Sequence, residues 1–191
     1  MTILTLGSLT WSRALDHPDL LAPSTAAAIA AWAVDEPAVA DAVLVAPIDP
    51  AMSDTAALTE AYALPPAASA NCVLVAGKRE GDERIAAAVV RATTRADVNN
   101  AVKRLLDVRK ASFLPMDRAV EESGMEYGGI TPVGLPDGYR VLVDARVVAP
   151  DDEAGDVVVL GSGIRGSKLA LPGALLARAP WVEVVEGLAI G

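Results

Sequence analysis

The chain is short of the residues that hold metals and disulfides. It has one cysteine, Cys72, and one histidine, His17, which excludes a disulfide framework and every zinc site built from several Cys or His ligands. Nothing else calls for a metal or a cofactor. Aromatic residues make up only 4% against 52% apolar residues overall, so the core must be built mainly from Val, Leu and Ala. No apolar run approaches the roughly 20 residues needed to span a bilayer; the most apolar early stretch, Ala26 to Val34, is far shorter. The opening MTILTLGSLTWSR has neither a basic start nor a small-residue cleavage pattern, so a cytoplasmic protein without a signal peptide is expected.

Basic residues are scarce at the start. Residues 1–66 hold one Arg against eight acids, although the whole chain carries a net charge of only −9. The middle is different. Residues 84–110 carry seven basic side chains (Arg84, Arg91, Arg95, Lys103, Arg104, Arg109, Lys110) against Asp97 and Asp107. Such a stripe suits a phosphate backbone; a solvated basic surface is the plainer alternative.

What is present reads as one domain of strands and short helices. Ser24 is placed to cap an Ala-rich helix over 25–34, ended by Pro37. DAVLVAPI (41–48) reads as a strand, and Ser53 or Asp54 caps TAALTEAYAL, which stops at Pro65-Pro66. CVLVAG and RIAAAVVRA, joined by KREGDE, give a hairpin. Asp97 caps a helix with Val98, Val102, Leu105 and Leu106 at helical spacing. ASFL is a short strand, and a helix runs between Pro115 and Gly124. RVLVDARVV, DVVVL and WVEVV are further strands, with a short helix from Pro172 or Gly173. This pattern predicts an α+β fold with a mixed, largely antiparallel sheet flanked by short helices.

Two glycine loops carry the chemistry. Gly161-Ser162-Gly163-Ile164-Arg165-Gly166 follows a strand and matches G-x-G-x-x-G, and Glu186 lies 20 residues beyond Gly166, as a dinucleotide site requires. Pro172 stands where the following helix should continue, however, and SKLAL alternates like a strand, so a nucleotide turn is the lesser reading. The other loop is Gly128-Gly129-Ile130-Thr131-Pro132, between a helix and a strand. Its glycines let backbone N–H groups approach a substrate closely, and such donors stabilise a developing oxyanion.

GGITPVG, set in the order DTAALTEAYALPPAASANCVLVA, ADVNNAVKRLL, RVLVDARV and GSGIRGSKLAL, resembles the YbaK-like, prolyl-tRNA-synthetase-associated editing domains over about residues 40 to 187. The resemblance implies an aminoacyl-tRNA deacylase that hydrolyses mischarged esters in trans. It implies domain 39–191, with residues 1–38 as an extension packed on it. It also implies the acceptor end of tRNA and a synthetase as partners, and neither DNA nor a membrane. Gly128, Gly129, Ile130, Thr131 and Pro132 would supply the oxyanion and amino-acid pocket, and Asn71 with Arg165 or Lys168 would hold the terminal adenosine. Asp144, Gly161, Ser162, Gly163, Arg165, Gly166 and Lys168 would line the substrate site.

One position departs from that family. Its functional lysine is replaced by Asn71, which donates hydrogen bonds but brings no charge. Lys78 lies roughly 23 Å further along the same strand, at about 3.3 Å per residue, too far to substitute. Lys168 is the better replacement, although an exposed lysine is the plainer reading, and Arg165 serves equally as a phosphate partner or as a surface ion pair. With the lysine lost, a module that binds aminoacyl-tRNA or an aminoacyl-nucleotide without turnover is the alternative function. Cys72 lacks a base and reads as a small buried hydrophobe; His17 reads as a surface residue.

Overall fold

The computed structural model describes residues 6–191. Strand β1 (Ser12–Arg13) leads to helices α1 (Pro23–Asp35) and α2 (Val39–Ala42), then to β2 (Leu44–Pro47). Pro23 opens α1, where its missing N–H costs nothing. The N-cap is therefore Ala22, and Ser24, expected as the cap, lies inside the helix. Helix α3 (Thr55–Tyr62) starts at Asp54, whose carboxylate accepts the Ala56 N–H at 3.0 Å.

Strands β3 (Ala70–Arg79) and β4 (Asp82–Arg91) form the predicted hairpin. The two residues between them, Glu80 and Gly81, both have positive φ (54° and 100°), the turn geometry that matches strand twist. Strand β5 (Arg95–Ala96) precedes Asp97, which accepts the Asn100 N–H at 3.1 Å. The cap is as expected, but a wide turn over Val98–Val102 comes before the regular helix α4 (Lys103–Leu106).

Strand β6 (Ala111–Phe113) and helix α5 (Met116–Ser123) follow, the latter ending at Gly124 with φ 66°. RVLVDARVV divides into β7 (Arg140–Asp144) and α6 (Ala145–Val148) instead of forming one strand. The Asp144 carboxylate causes the break by accepting the Arg146 N–H at 3.0 Å. Strands β8 (Val157–Gly161) and β9 (Ser167–Pro172), helix α7 (Gly173–Leu176), and strands β10 (Val182–Val185) and β11 (Ala189–Ile190) complete the chain.

One sheet has the order β1-β2-β9-β8 and is antiparallel throughout. The second has the order β10-β7-β4-β3-β6; its β10–β7 and β7–β4 pairs are parallel and the others antiparallel. The fold is thus α+β with a mixed, largely antiparallel sheet arrangement. The sheets meet where Ser69 bridges Val159. Between them lies the main core, which takes Ile29 and Trp32 from α1, Leu74, Ala87 and Val89 from the hairpin, and Val158, Leu160 and Leu169 from the first sheet. The alternate residues Val75, Ala86, Ala88 and Val90 pack on the other side with Val102, Leu106 and Leu188, as a strand period of two requires. Among the scarce aromatics, Trp32 and Trp181 meet edge to face at 5.2 Å.

The basic stripe is partly dismantled by the fold. Arg91 is buried, donating to the Arg146 and Ala149 carbonyls at 2.6 and 2.7 Å and also to the Ala67 carbonyl. Arg84 is spent on the Leu106 and Asp107 carbonyls and the Asp107 carboxylate. Arg95, Lys103, Arg104, Arg109 and Lys110 keep solvent contact and make no ion pair among the described residues. Arg91→Met should destabilise the protein by about 3 kcal/mol or more, because three carbonyls lose their donor at ~1 kcal/mol or more each. A urea unfolding midpoint close to that of the parent would contradict this account.

Candidate active site

The GSGIRG segment joins β8 to β9 as an antiparallel hairpin, with Gly161 opposite Lys168. No helix opens after it, so the dinucleotide reading is excluded. The hairpin instead packs on the other glycine loop. Gly163 N–H donates to the Gly129 carbonyl at 2.8 Å, and Glu126 N–H donates to the Gly163 carbonyl at 2.8 Å. A methyl group on Gly129 would lie 2.5 Å from the Ile164 backbone, and one on Gly161 would lie 2.3 Å from the Gly129 oxygen. Glycine is required at both positions because backbone meets backbone.

The loop pair walls a cleft of about 830 Å³ at the junction of the two sheets, closed on the far side by the start of α3 and the start of β3. Gly128 and Ile130 line it, and their N–H groups donate to no protein acceptor among the described residues. Gly129, Thr131 and Pro132 form the turn behind. Thr131 is fully buried, with its N–H 3.5 Å from the Met125 sulfur, and Pro132 borders a separate cavity beside Trp32 and Trp181.

Asn71 lines the cleft from the start of β3. Its side-chain oxygen accepts the Thr55 hydroxyl at 2.8 Å, which leaves the amide NH₂ as the group with donors to offer. Lys168 also lines the cleft and is only 7% exposed, so the plainer reading of an exposed lysine is overturned. Its Nζ donates to the Ser53 carbonyl at 3.0 Å and the Gly128 carbonyl at 3.3 Å, tying the start of α3 to the glycine loop. Burial, reinforced by nearby Arg165 and partly offset by Asp54, pushes its pKa down to about 8.

The other candidates have structural duties. The Arg165 guanidinium donates to the Tyr127 and Pro50 carbonyls at 3.0 and 3.2 Å and makes no ion pair among the described residues. Ser162 is buried with its hydroxyl 2.7 Å from that of Ser167. Gly166 supplies a carbonyl to Ile48 N–H at 2.9 Å, and Gly163 takes φ 88° in the hairpin.

Asp144 lies outside the cleft. Besides capping α6 it pairs with the Arg146 guanidinium at 2.9 Å and accepts the Ala189 N–H at 2.8 Å. Burial pushes its carboxyl up, but these hydrogen bonds outweigh burial and hold it below the usual range. Cys72 lines the cleft, and burial pushes its thiol up to about 12, so it is a neutral wall group. His17 is half-buried outside the cleft. Sequence reasoning passed over Ser53, Thr55 and Tyr127. The first two are marked only by their place beside a helix cap, and Tyr127 by being an aromatic next to Gly128. Among the described residues no cluster of three His, Cys, Asp or Glu side chains suits a metal ion, and no helix is long and apolar enough to cross a membrane.

A family model described as an aminoacyl-tRNA editing domain matches residues 49–179. The chain belongs to that family. One similar solved structure is described as "a putative trans-editing enzyme for prolyl tRNA synthetase"; it is 16% identical with a TM-score of 0.68, over 90% of this chain and 99% of the other. Another, of a hypothetical protein, is 19% identical with a TM-score of 0.61, over 75% of this chain and 86% of the other. At these identities the likeness shows the fold of the editing domain. No curated protein matches the chain.

Lys168 also gives stability a pH dependence. Its folded pKa of about 8 lies below the ordinary 10.5, so between those values the unfolded chain binds more protons and stability rises with pH. Cys72 acts oppositely above pH 9, the ordinary pKa of its thiol, because the folded thiol keeps its proton up to about 12. Comparing the parent with Lys168→Met cancels the Cys72 contribution. The stability of the parent relative to the variant should increase from pH 8 to 10.5 in urea titrations; a constant difference would contradict a buried, titrating lysine.

Proposed function

We propose that the protein is an aminoacyl-tRNA deacylase acting in trans on mischarged tRNA. The observation that carries this reading is the cleft lined by Asn71 and Lys168 and by Gly128 and Ile130, whose N–H groups have no protein acceptor among the described residues, in a chain of the editing-domain family. Hydrolysis of the ester adds a water oxygen to the carbonyl carbon and breaks the bond to the ribose oxygen, with a proton from water ending on that oxygen. The carbonyl oxygen gains negative charge on the way, and backbone donors fixed by the packed glycine loops stabilise it without reorganising. Gly129, Thr131 and Pro132 support those donors from behind. In this reading Asn71 would hold the terminal adenosine, and Lys168 the ester.

The acceptor end of tRNA would be the partner, with Arg95, Lys103, Arg104, Arg109 and Lys110 as the basic groups free to meet RNA phosphates, and a synthetase would be the natural source of substrate. Residues 1–38 would be an extension whose helix α1 contributes to the core of an editing domain spanning 39–191. A cytoplasmic site of action agrees with a tRNA substrate.

The second reading is a binding module without turnover. It is favoured by Asn71, whose oxygen is tied to Thr55 and which brings no charge to its position. A deacylation assay over a panel of mischarged tRNAs separates the two readings. At least one ester should be cleaved well above the spontaneous rate, and Asn71→Ala should lower kcat/KM about fivefold, the worth of one neutral hydrogen bond of ~1 kcal/mol. Tight binding of an uncleavable aminoacyl-adenosine with no hydrolysis of any ester would establish the binding module instead.

A further inference from the structure

Arg91 and Lys168 are the two basic side chains buried among the described residues, and the fold treats them differently. Arg91 gives its planar fork to three carbonyls, a fixed arrangement that suits a guanidinium. Lys168 has three donors and places two, on Ser53 and Gly128. No carboxylate lies within ion-pair distance of it among the described residues. Its neighbours across β9, Ala46 and Gly161, are uncharged. The titratable groups lining the cleft with it are Asp54 and Glu60 of the α3 segment, Cys72 of β3 and Tyr127 of the glycine loop, and Arg165 stands in the adjoining hairpin. Of these, Asp54 favours its charge and Arg165 opposes it. An uncompensated buried cation is costly, and an apolar side chain in a central strand would avoid the cost. The charge is retained at the wall of the cleft, where a ligand oxygen can compensate it.

We propose that Lys168 is the catalytic cation of this site: its remaining N–H makes a charge-assisted hydrogen bond to the carbonyl oxygen of the bound aminoacyl ester, beside the Gly128 and Ile130 amides. This rests on the reading of the cleft as an ester site. Lys168 keeps its proton throughout. It attracts the charge that develops on the carbonyl oxygen as water adds and the ribose oxygen leaves, and neither gives nor takes a proton itself. The ammonium form is required, so the interaction fades as pH passes about 8, where the buried amine loses its proton.

The test measures the Kd of 3′-amide-linked aminoacyl-adenosines, which carry no phosphate and resist hydrolysis. Alanyl, seryl and leucyl forms would be used by calorimetry from pH 6 to 9.5. The parent, Lys168→Met and Lys168→Arg are compared, with adenosine 5′-monophosphate as a second probe. Below pH 7.5 Lys168→Met should bind the aminoacyl probes roughly ten- to hundredfold more weakly than the parent. That ratio should shrink above pH 8, approaching tenfold per pH unit. Comparing variants at each pH cancels the titration of the probe's own α-amino group. Lys168→Arg should keep its affinity relative to Lys168→Met across the range, because a guanidinium does not titrate there. If Arg is too large for the site to fold, the Met comparison decides alone, with thermal unfolding reporting that the variant is folded. Binding of adenosine 5′-monophosphate should be the same in the parent and Lys168→Met. Equal affinity of parent and Lys168→Met for the aminoacyl probes, or a ratio independent of pH, overturns the proposal while leaving the ester site standing. Equal losses for both kinds of probe place the ammonium on phosphate and overturn it too. A parent that binds none of the aminoacyl probes overturns both the ester-site reading and the role of Lys168.

Discussion

The backbone of one glycine loop lies directly against the backbone of another, and the cleft exists because of that contact. Gly129 and Gly161 leave no room for a methyl group between the loops, and Gly163 N–H donates a hydrogen bond to the Gly129 carbonyl across the gap. Two loops packed this closely cannot slide independently, so the backbone of Gly128 and Ile130 is held by the β8–β9 hairpin and not merely by its own loop. Arg165 strengthens the same junction by reaching the Tyr127 and Pro50 carbonyls. Preorganisation of this kind is what gives backbone donors their value toward a charge that forms only during reaction. Precision in the cleft therefore comes from main-chain packing, with few side chains involved.

Lys168 extends this logic from the loops to the helix. Its two placed hydrogen bonds fasten the start of α3 to Gly128, so one side chain in the cleft wall joins elements far apart in sequence. An ammonium is a poor choice for that task alone. Its burial carries a desolvation cost that a neutral donor would not, and its lowered pKa is the measure of that cost. Arg91, equally buried, bridges three carbonyls outside the cleft, where only architecture is at stake. Similar burial at the cleft wall, with a donor left over, makes Lys168 a functional candidate and leaves Arg91 a structural one.

Much of the fold was legible because local signals agreed with tertiary ones. The KREGDE hairpin, the Asp54 and Asp97 caps, and the Pro115 to Gly124 helix all appear where the residues place them. The failures share a cause. RVLVDARVV alternates like one strand, yet Asp144 offers a carboxylate to the backbone two residues on and breaks it; apolar alternation cannot register a cap inside a run. Ser24 lost its capping place to Pro23, whose fixed φ suits the first turn better. In the site, Asn71 and the glycine loops were visible as motifs or positions. The burial of Lys168 was not, because it depends on Ser53, 115 residues away in sequence.

Charge shows the same limit most sharply. Seven basic residues between 84 and 110 read as a single positive stripe, and the sum is correct, but a field belongs to positions in space. Arg91 points inward and is lost to the surface, while Asp107 draws in both Arg84 and Arg79 and cancels much of their effect. The acids of the first third also divide. Asp54, the cap of α3, and Glu60 line the cleft, while Asp49 caps the short turn before α3. The ester end of a nucleic acid would thus meet a site whose one buried cation is offset by few neighbours. The net charge of −9 therefore says little about the cleft, where the Lys168 ammonium shares the wall with Asp54 and Glu60 and has no carboxylate within ion-pair distance among the described residues.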